Sequence, residues 1–408
     1  MKKALSWILV FSMLFCLSAC ASGEQEQEYG LKLQKIYNGE EVTIESDLVS
    51  GYMKLTDEAE VAAYLQQYSS KKGDRQQVIF AWEGDGYSRT YTITFSETED
   101  FSNPMVFKGV APPLTTFGFF EPGKTYWYKV ESDTTTSVSQ VDHFKVKDHQ
   151  VRYISLDEAY NIRDLGGWKT EDGKTVKYGM LFRGGTINNR GGAEGLSDRD
   201  HYIFEDILGV KCEIDLRTQN GDDRNQSYSV FGYSCNYAKL AIQGYSYILP
   251  GFETTYEDDE GKVIRREYYK QLSDNVGKVF EVLGHESNYP AYFHCNAGAD
   301  RTGTVAFLIN GLLGVSYDDL IRDFELTSFS RYGARWRSDI VDGRFTEDGI
   351  MQNDYGNFVA IGAMADKLLA DYGTGDGKLS SAIENYLKTV CGVSQEEIDT
   401  VRRMMLEE

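Results

Sequence analysis

The stretch from Ala291 to Gly303 narrows the folds open to this chain more than any other. A short apolar run, Ala291-Tyr292-Phe293-His294, leads into Cys295-Asn296-Ala297-Gly298-Ala299-Asp300-Arg301, and Thr302 to Leu313 then carries apolar residues at helical spacing. A loop joining a strand to a helix N-terminus turns successive backbone N–H groups inward, where they and the helix dipole make an anion cradle. Gly298 lets such a loop curl with no side chain in the way. Arg301, at the helix start, can close the cradle with a two-pronged contact to phosphate oxygens. Cys295 then stands on the floor of a site of positive potential, which favours the thiolate. A thiolate beneath a bound phosphate is aligned for in-line attack.

The surrounding sequence predicts an α/β unit with a central, largely parallel sheet flanked by helices. Lys211 to Leu216 and Ala291 to His294 read as short strands, while Tyr268–Leu283, Tyr355–Leu369 and Ile383–Val390 repeat apolar residues at helical spacing. Ser394-Gln395-Glu396-Glu397 is a capping-box arrangement and predicts a closing helix to Leu406.

His294-Cys295, the loop with Gly298 at its middle, and Arg301-Thr302-Gly303 together resemble the signature of the protein-tyrosine phosphatase superfamily. Asn161 to Trp168, Leu181 to Gly185 and Ile214-Asp215-Leu216-Arg217-Thr218 follow the order seen in its atypical bacterial tyrosine and lipid phosphatases. Those enzymes carry an Asp just before the loop Arg, as Asp300 does here, and the resemblance runs from about Tyr153 to Leu406. It implies a cysteine-phosphatase fold and phosphomonoester hydrolysis through a phosphocysteine on Cys295, with no metal or cofactor. The phosphate would be held by Asn296, Ala297, Gly298, Ala299, Asp300 and Arg301. By the same resemblance Thr302 would donate to Cys295 as it leaves, and His294 would fix the thiolate from behind. The Trp-Pro-Asp tripeptide that supplies the proton donor in common members does not occur in this sequence. Asp300 is the first candidate for that role and Asp215, after a strand opening on the same rim, the second; Asp222 and Asp223 are weaker ones. On residue patterns alone, Arg163-Asp164 and Asp215-Arg217 also fit ordinary ion pairs after strands.

The substrate reading turns on charge. Inositide-type relatives often place Lys inside the loop, whereas this loop holds no Lys and one carboxylate. That favours phosphotyrosine, including in a dual-specificity enzyme, over an inositol phosphate or phosphoinositide in the manner of a phytase. Arg163, Arg183 and Arg217 are candidates for a second phosphate site. A surface module that binds a phospho-ligand or acts in adhesion without turnover is the reading from another class.

Ahead of the α/β unit, at residues 36–148, the chain alternates in the β manner, with Val78–Trp82, Tyr91–Phe95, Tyr126–Val130 and Val141–Val146 as strands. Phe120, Pro122, Tyr126 and Tyr128, with Trp82, resemble a fibronectin type III β-sandwich and its corner tyrosine. The tyrosines and Trp82 are expected in its core, and the unit as a spacer or binding module before a catalytic unit at 149–408. Residues 1–19, with Lys2, Lys3 and a short apolar run, predict an export signal. Leu17-Ser18-Ala19-Cys20 resembles a bacterial lipobox, so Cys20 would carry a lipid and residues 20–35 would tether an exported protein to a membrane. A formal net charge of −21 argues against nucleic acid as a partner. Cys212, Cys235, Cys295 and Cys391 show no zinc spacing, and a Cys212–Cys235 bridge is open.

Overall fold

A computed structural model describes residues 30–407, apart from 70, 72, 74–76, 113, 189–194, 218–225, 252–253, 258–262, 267–268, 332–334, 337–339, 342–343, 346–349, 352–357 and 360. Cys20, Thr218, Asp222 and Asp223 lie outside the described residues.

The N-terminal region contains strands β1 (Lys32–Leu33), β2 (Glu41–Val42), β3 (Val78–Glu83), β4 (Tyr91–Ser96), β5 (Met105–Val110), β6 (Leu114–Phe117), β7 (Thr125–Ser132) and β8 (Asp142–Val146). They form a three-stranded sheet, β1-β3-β6, and a five-stranded sheet, β2-β8-β7-β4-β5. Alternation along β3 buries Val78, Phe80 and Trp82, and along β7 buries Tyr126, Tyr128 and Val130. Phe80 of the small sheet meets Phe95 and Tyr128 of the large one, both at 4.9 Å between ring centroids. Trp82 and these tyrosines are core, as expected. The Tyr126 hydroxyl accepts the Glu121 N–H at 3.0 Å, which fixes the corner where β7 begins.

Two helices interrupt this stretch where the sequence predicts β-structure: α1 (Asp47–Met53), capped by Ser46, and α2 (Glu58–Tyr68), capped by Asp57. They do not pack into the aromatic core. Val49, Tyr52, Val61 and Leu65 join the core of the second unit instead. Neither helix is a spacer: the Tyr52 hydroxyl donates to Glu325 at 2.6 Å, and Arg322 hydrogen-bonds the Leu55 carbonyl.

The second unit is built on β9 (Arg163–Asp164), β10 (Leu181–Gly184), β11 (Cys212–Asp215), β12 (Asn236–Lys239), a hairpin of β13 (Thr254–Glu257) and β14 (Val263–Arg266), and β15 (Ala291–His294). Its sheet has the order β12-β11-β15-β10-β9, parallel except where β9 meets β10. The helices are α3 (Asp198–Tyr202), α4 (Tyr269–Leu283), α5 (Asp300–Leu312), α6 (Tyr317–Glu325), α7 (Ile361–Tyr372), α8 (Leu379–Thr389) and α9 (Gln395–Met405). The predicted capping box is present: Ser394 accepts the Glu397 N–H while Glu397 accepts from the Ser394 backbone. From Thr302 to Leu312, α5 is buried all round.

Period-two alternation decides what each face of this sheet meets. Leu181, Ile214, Ala291 and Phe293 enter the helical core, while Phe182 and Tyr292 enter the cluster that holds Phe80, Phe95 and Tyr128. The aromatic core of the N-terminal sheets therefore runs on into one face of the second sheet, and the boundary at 148/149 does not separate two cores.

Candidate active site

β15 lies between β11 and β10, parallel to both, with Asp215, His294 and Gly184 in register at its end. The loop that follows thus emerges at the carboxyl edge of the sheet, where α/β folds place ligands, and α5 starts immediately beyond it. His294 is fully buried; its Nε2 is 3.0 Å from Glu213 Oε1 and its Nδ1 is 3.3 Å from the Cys295 carbonyl oxygen. The imidazole thus ties the loop's start to β11 through the Cys295 backbone.

The loop is shaped by backbone fit. Gly298 has φ +68°, and a Cβ there would lie 2.3 Å from the Gly184 carbonyl carbon, so only glycine fits. The loop carbonyls are pinned from behind. Asn161 Nδ2 donates to the carbonyls of Ala297 (3.0 Å) and Gly298 (3.2 Å), Arg183 Nη2 to that of Gly298 (2.9 Å), and the Thr186 N–H to that of Asn296 (3.0 Å). Among the described residues no hydrogen bond uses the N–H groups of Asn296, Ala297, Gly298 or Ala299. Cys295 is a buried free thiol at this loop's base. Arg301, half-buried on the first turn of α5, has no hydrogen bond or ion pair to any described residue. The Thr302 hydroxyl and Asn296 Oδ1 are buried without partners.

The arginines expected to reach a second phosphate do something else. Arg163 and Arg183 are fully buried and share Asp323: Arg163 Nε lies 3.1 Å from Asp323 Oδ1, and Arg183 Nη1 pairs with Oδ2. Arg163 also donates to Asn161 Oδ1 at 2.7 Å. Burial and neighbouring Arg163 push the Arg183 guanidinium down to about 10, still charged at neutral pH. Burial favours a protonated Asp323, but the two guanidiniums outweigh it and hold the carboxyl below its ordinary range. Arg217 is buried too, gripping Asp215 through Nε and Nη2 at 2.8 Å each and bracing Thr186 at 2.9 Å. All three are buried: Arg183 holds the loop directly, and Arg163 and Arg217 hold Asn161 and Thr186, which do.

Asp215 is fully buried and also accepts from Tyr237 at 3.0 Å. Burial works against its charge, yet the Arg217 bonds and nearby His294 hold it far below the carboxylate range. Asp300 differs. Its side chain is 38% exposed at the loop's rim, where Oδ1 takes the Tyr245 hydroxyl at 2.6 Å and Arg335 Nε at 2.9 Å.

Residues 154–407 match the tyrosine phosphatase family. The chain belongs to that family. A tyrosine-protein phosphatase from Nostoc commune is 26% identical over 216 residues, 51% of this chain and 69% of its own. A relative from Cupriavidus necator, whose name also refers to tyrosine-protein phosphatase, is 23% identical over 177 residues, 42% of this chain and 61% of its own. The core catalytic domain of a PP-IP phosphatase from S. cerevisiae, solved with citrate, aligns over 39% of this chain and 78% of its own at 14% identity, with a TM-score of 0.25.

This phosphatase is a cysteine-type enzyme, and its loop can cradle a phosphate with N–H groups and an arginine that have no hydrogen-bond partner among the described residues, beside a buried thiol. Burial pushes the thiols of Cys212 and Cys391 up to about 12 and that of Cys235 to about 11. The bridge left open between Cys212 and Cys235 is not formed. Sequence reasoning missed Tyr245, Asp323 and Arg335. A signal for the last existed: in a strongly acidic chain, Arg331, Arg335 and Arg337 cluster beside Tyr332 and Trp336.

Proposed function

We propose that this enzyme hydrolyses phosphotyrosine in proteins or peptides through a phosphocysteine intermediate. The observation that carries this reading is the Cys295 thiol at the base of a loop whose Asn296, Ala297 and Gly298 carbonyls are held by donors from other elements. Cys295 Sγ attacks phosphorus, the P–O bond to the tyrosine oxygen breaks, and Asp300 passes its proton to that oxygen. Water then attacks phosphorus, Asp300 takes its proton, and the S–P bond breaks, with the Thr302 hydroxyl donating to the departing thiolate; that this hydroxyl is buried with no other partner supports the role. Arg301 and the loop N–H groups hold the equatorial oxygens throughout.

Asp300 is preferred to Asp215 as proton donor because it is the one at the open rim. Asp215, locked in a two-pronged pair with Arg217, has no free oxygen to offer. A wide basic bowl for inositol phosphates would need cations facing outward, and the buried state of Arg163, Arg183 and Arg217 speaks against it. A binding-only module has no need of Cys295.

We further read residues 1–19 as an export signal and Cys20 as the lipid-bearing residue of a membrane-anchored protein. The paired sheets, buried Trp82 and the Tyr126–Glu121 corner bond support a fibronectin type III-like N-terminal unit.

The test is phosphate release from phosphotyrosine peptides, phosphoserine peptides, an aryl phosphate and inositol hexakisphosphate, by the wild type and Cys295→Ser. Turnover of phosphotyrosine peptides that vanishes in the variant supports the reading. Preference for the inositol phosphate, or turnover surviving the substitution, overturns it.

A further inference from the structure

Asp300 has partners that the loop itself does not supply. Arg335 comes from the segment beyond α6 and reaches the carboxylate with Nε at 2.9 Å from Oδ1 and Nη2 at 3.4 Å from Oδ2. Tyr245, from the 3-10 turn Tyr245–Ile248, gives its hydroxyl to the same Oδ1. Both partners are themselves fixed. The Arg335 N–H donates to Ser328 Oγ at 2.7 Å, and that hydroxyl donates back to the Arg335 carbonyl at 2.8 Å. Ser328 belongs to the turn Leu326–Phe329, whose Thr327 Oγ1 accepts from Asn161, the residue that pins the loop. The Tyr245 N–H donates to Thr304 Oγ1 at 2.7 Å, which ties its turn to α5. Arg335 therefore stands on the same framework as the phosphate loop.

We infer that Arg335, with Tyr245, positions the Asp300 carboxyl for proton transfer and sets the basic limb of the reaction. This rests on the reading of Asp300 as the proton donor. Among the described residues, the charged and titratable groups acting on that carboxyl are Arg335, Tyr245 and Arg301 on its own helix, with Cys295 acting in turn on Arg335. Burial alone would favour the acid form, but Arg335 first, then Tyr245 and Arg301, hold Asp300 below its ordinary range. The first chemical step needs Asp300 protonated; the second needs it as carboxylate. Arg335 thus favours the second step and confines fast leaving-group protonation to acid pH. Aryl phosphates with good leaving groups depend little on that proton, so the effect must grow as the leaving group worsens.

The experiment is the pH dependence of kcat/KM for a good and a poor leaving group, on wild type, Asp300→Asn, Arg335→Gln and Arg335→Lys. Arg335→Gln should move the basic limb upward for the poor leaving group, each pH unit being tenfold in rate above the limb, and Arg335→Lys should partly restore it. If Asp300→Asn abolishes the limb while Arg335→Gln leaves it in place, the inference about Arg335 fails and the donor assignment stands. If Asp300→Asn keeps the limb, the donor assignment fails and takes the inference with it. Should Arg335→Gln not fold, Tyr245→Phe must move the limb in the same direction by less, and an unmoved limb there overturns the proposal.

Discussion

The two five-stranded sheets of this phosphatase differ in how much charge they bury. The N-terminal sheet fills its interior with Tyr91, Ile93, Phe95, Tyr128, Val130 and Phe144. Its buried Asp142 is satisfied by neutral donors: the Tyr37 and Asn38 N–H groups and the Tyr128 hydroxyl. The second sheet, beside its apolar residues, buries Arg163, Asp164, Arg183, Glu213, Asp215 and His294 along its strands. Aromatic packing of the first kind stabilises a fold directly, at ring-to-ring distances of about 5 Å. Buried ion pairs bring little net stability, since desolvation consumes most of their attraction, and breaking one leaves an unpaired charge. The second sheet tolerates this because its charges hold loop carbonyls in place: Arg183 on Gly298, Asn161 through Arg163, Thr186 through Arg217. One sheet buys stability; the other fixes a geometry.

The sharpest division between geometry and chemistry is Cys295→Ser, which should cut turnover at least about 10³-fold while far-UV CD and melting stay near wild type. Next comes Asp323→Ala, which strands two buried guanidiniums. It should cost about 3–5 kcal/mol in urea unfolding and lower kcat as the Gly298 carbonyl loses its anchor. Phe80→Ala, in the aromatic core, should cost a similar 3–5 kcal/mol yet leave kcat per folded molecule unchanged. Equal loss of kcat in the last two variants would erase the contrast between the sheets. Acid should separate them as well. Asp215 and Asp323 titrate below their unfolded value of about 4, so their contribution is complete above that pH and is lost as pH falls beneath it. Stability measured from pH 6 downward should therefore hold until about pH 4 and fall beneath it, and Asp323→Asn should flatten that fall. The smallest effect expected is that of Tyr52→Phe, which leaves Glu325 short of one buried donor and should cost about 1–3 kcal/mol.

How much of this was legible follows from how local each signal is. The loop, its strand and its helix were readable because their chemistry is written in consecutive residues, and α9 because a capping box spans only one turn. Trp82 and the tyrosines were readable as core from alternation along single strands. The helices α1 and α2 are not: they are short, and their apolar faces meet residues far along the chain, Phe329 among them, while Tyr52 bonds Glu325. The Asp215–Arg217 pair is legible because its two residues are near neighbours in sequence, whereas the partner of Arg163 and Arg183 is Asp323 and not Asp164, because a sequence does not say which way a charge on a strand end points. Arg335 and Asp323 were missed because each acts on a loop that it neither adjoins nor resembles.

The cradle's form comes from Gly298 seated against Gly184 and from donors on other strands, and none of these contacts involves the cysteine sulfur. Recognition and bond-breaking are therefore carried by different atoms. A molecule with serine at position 295 would keep its grip on a phosphorylated target and never let it go as product, a bait with which the natural substrate can be pulled out and named.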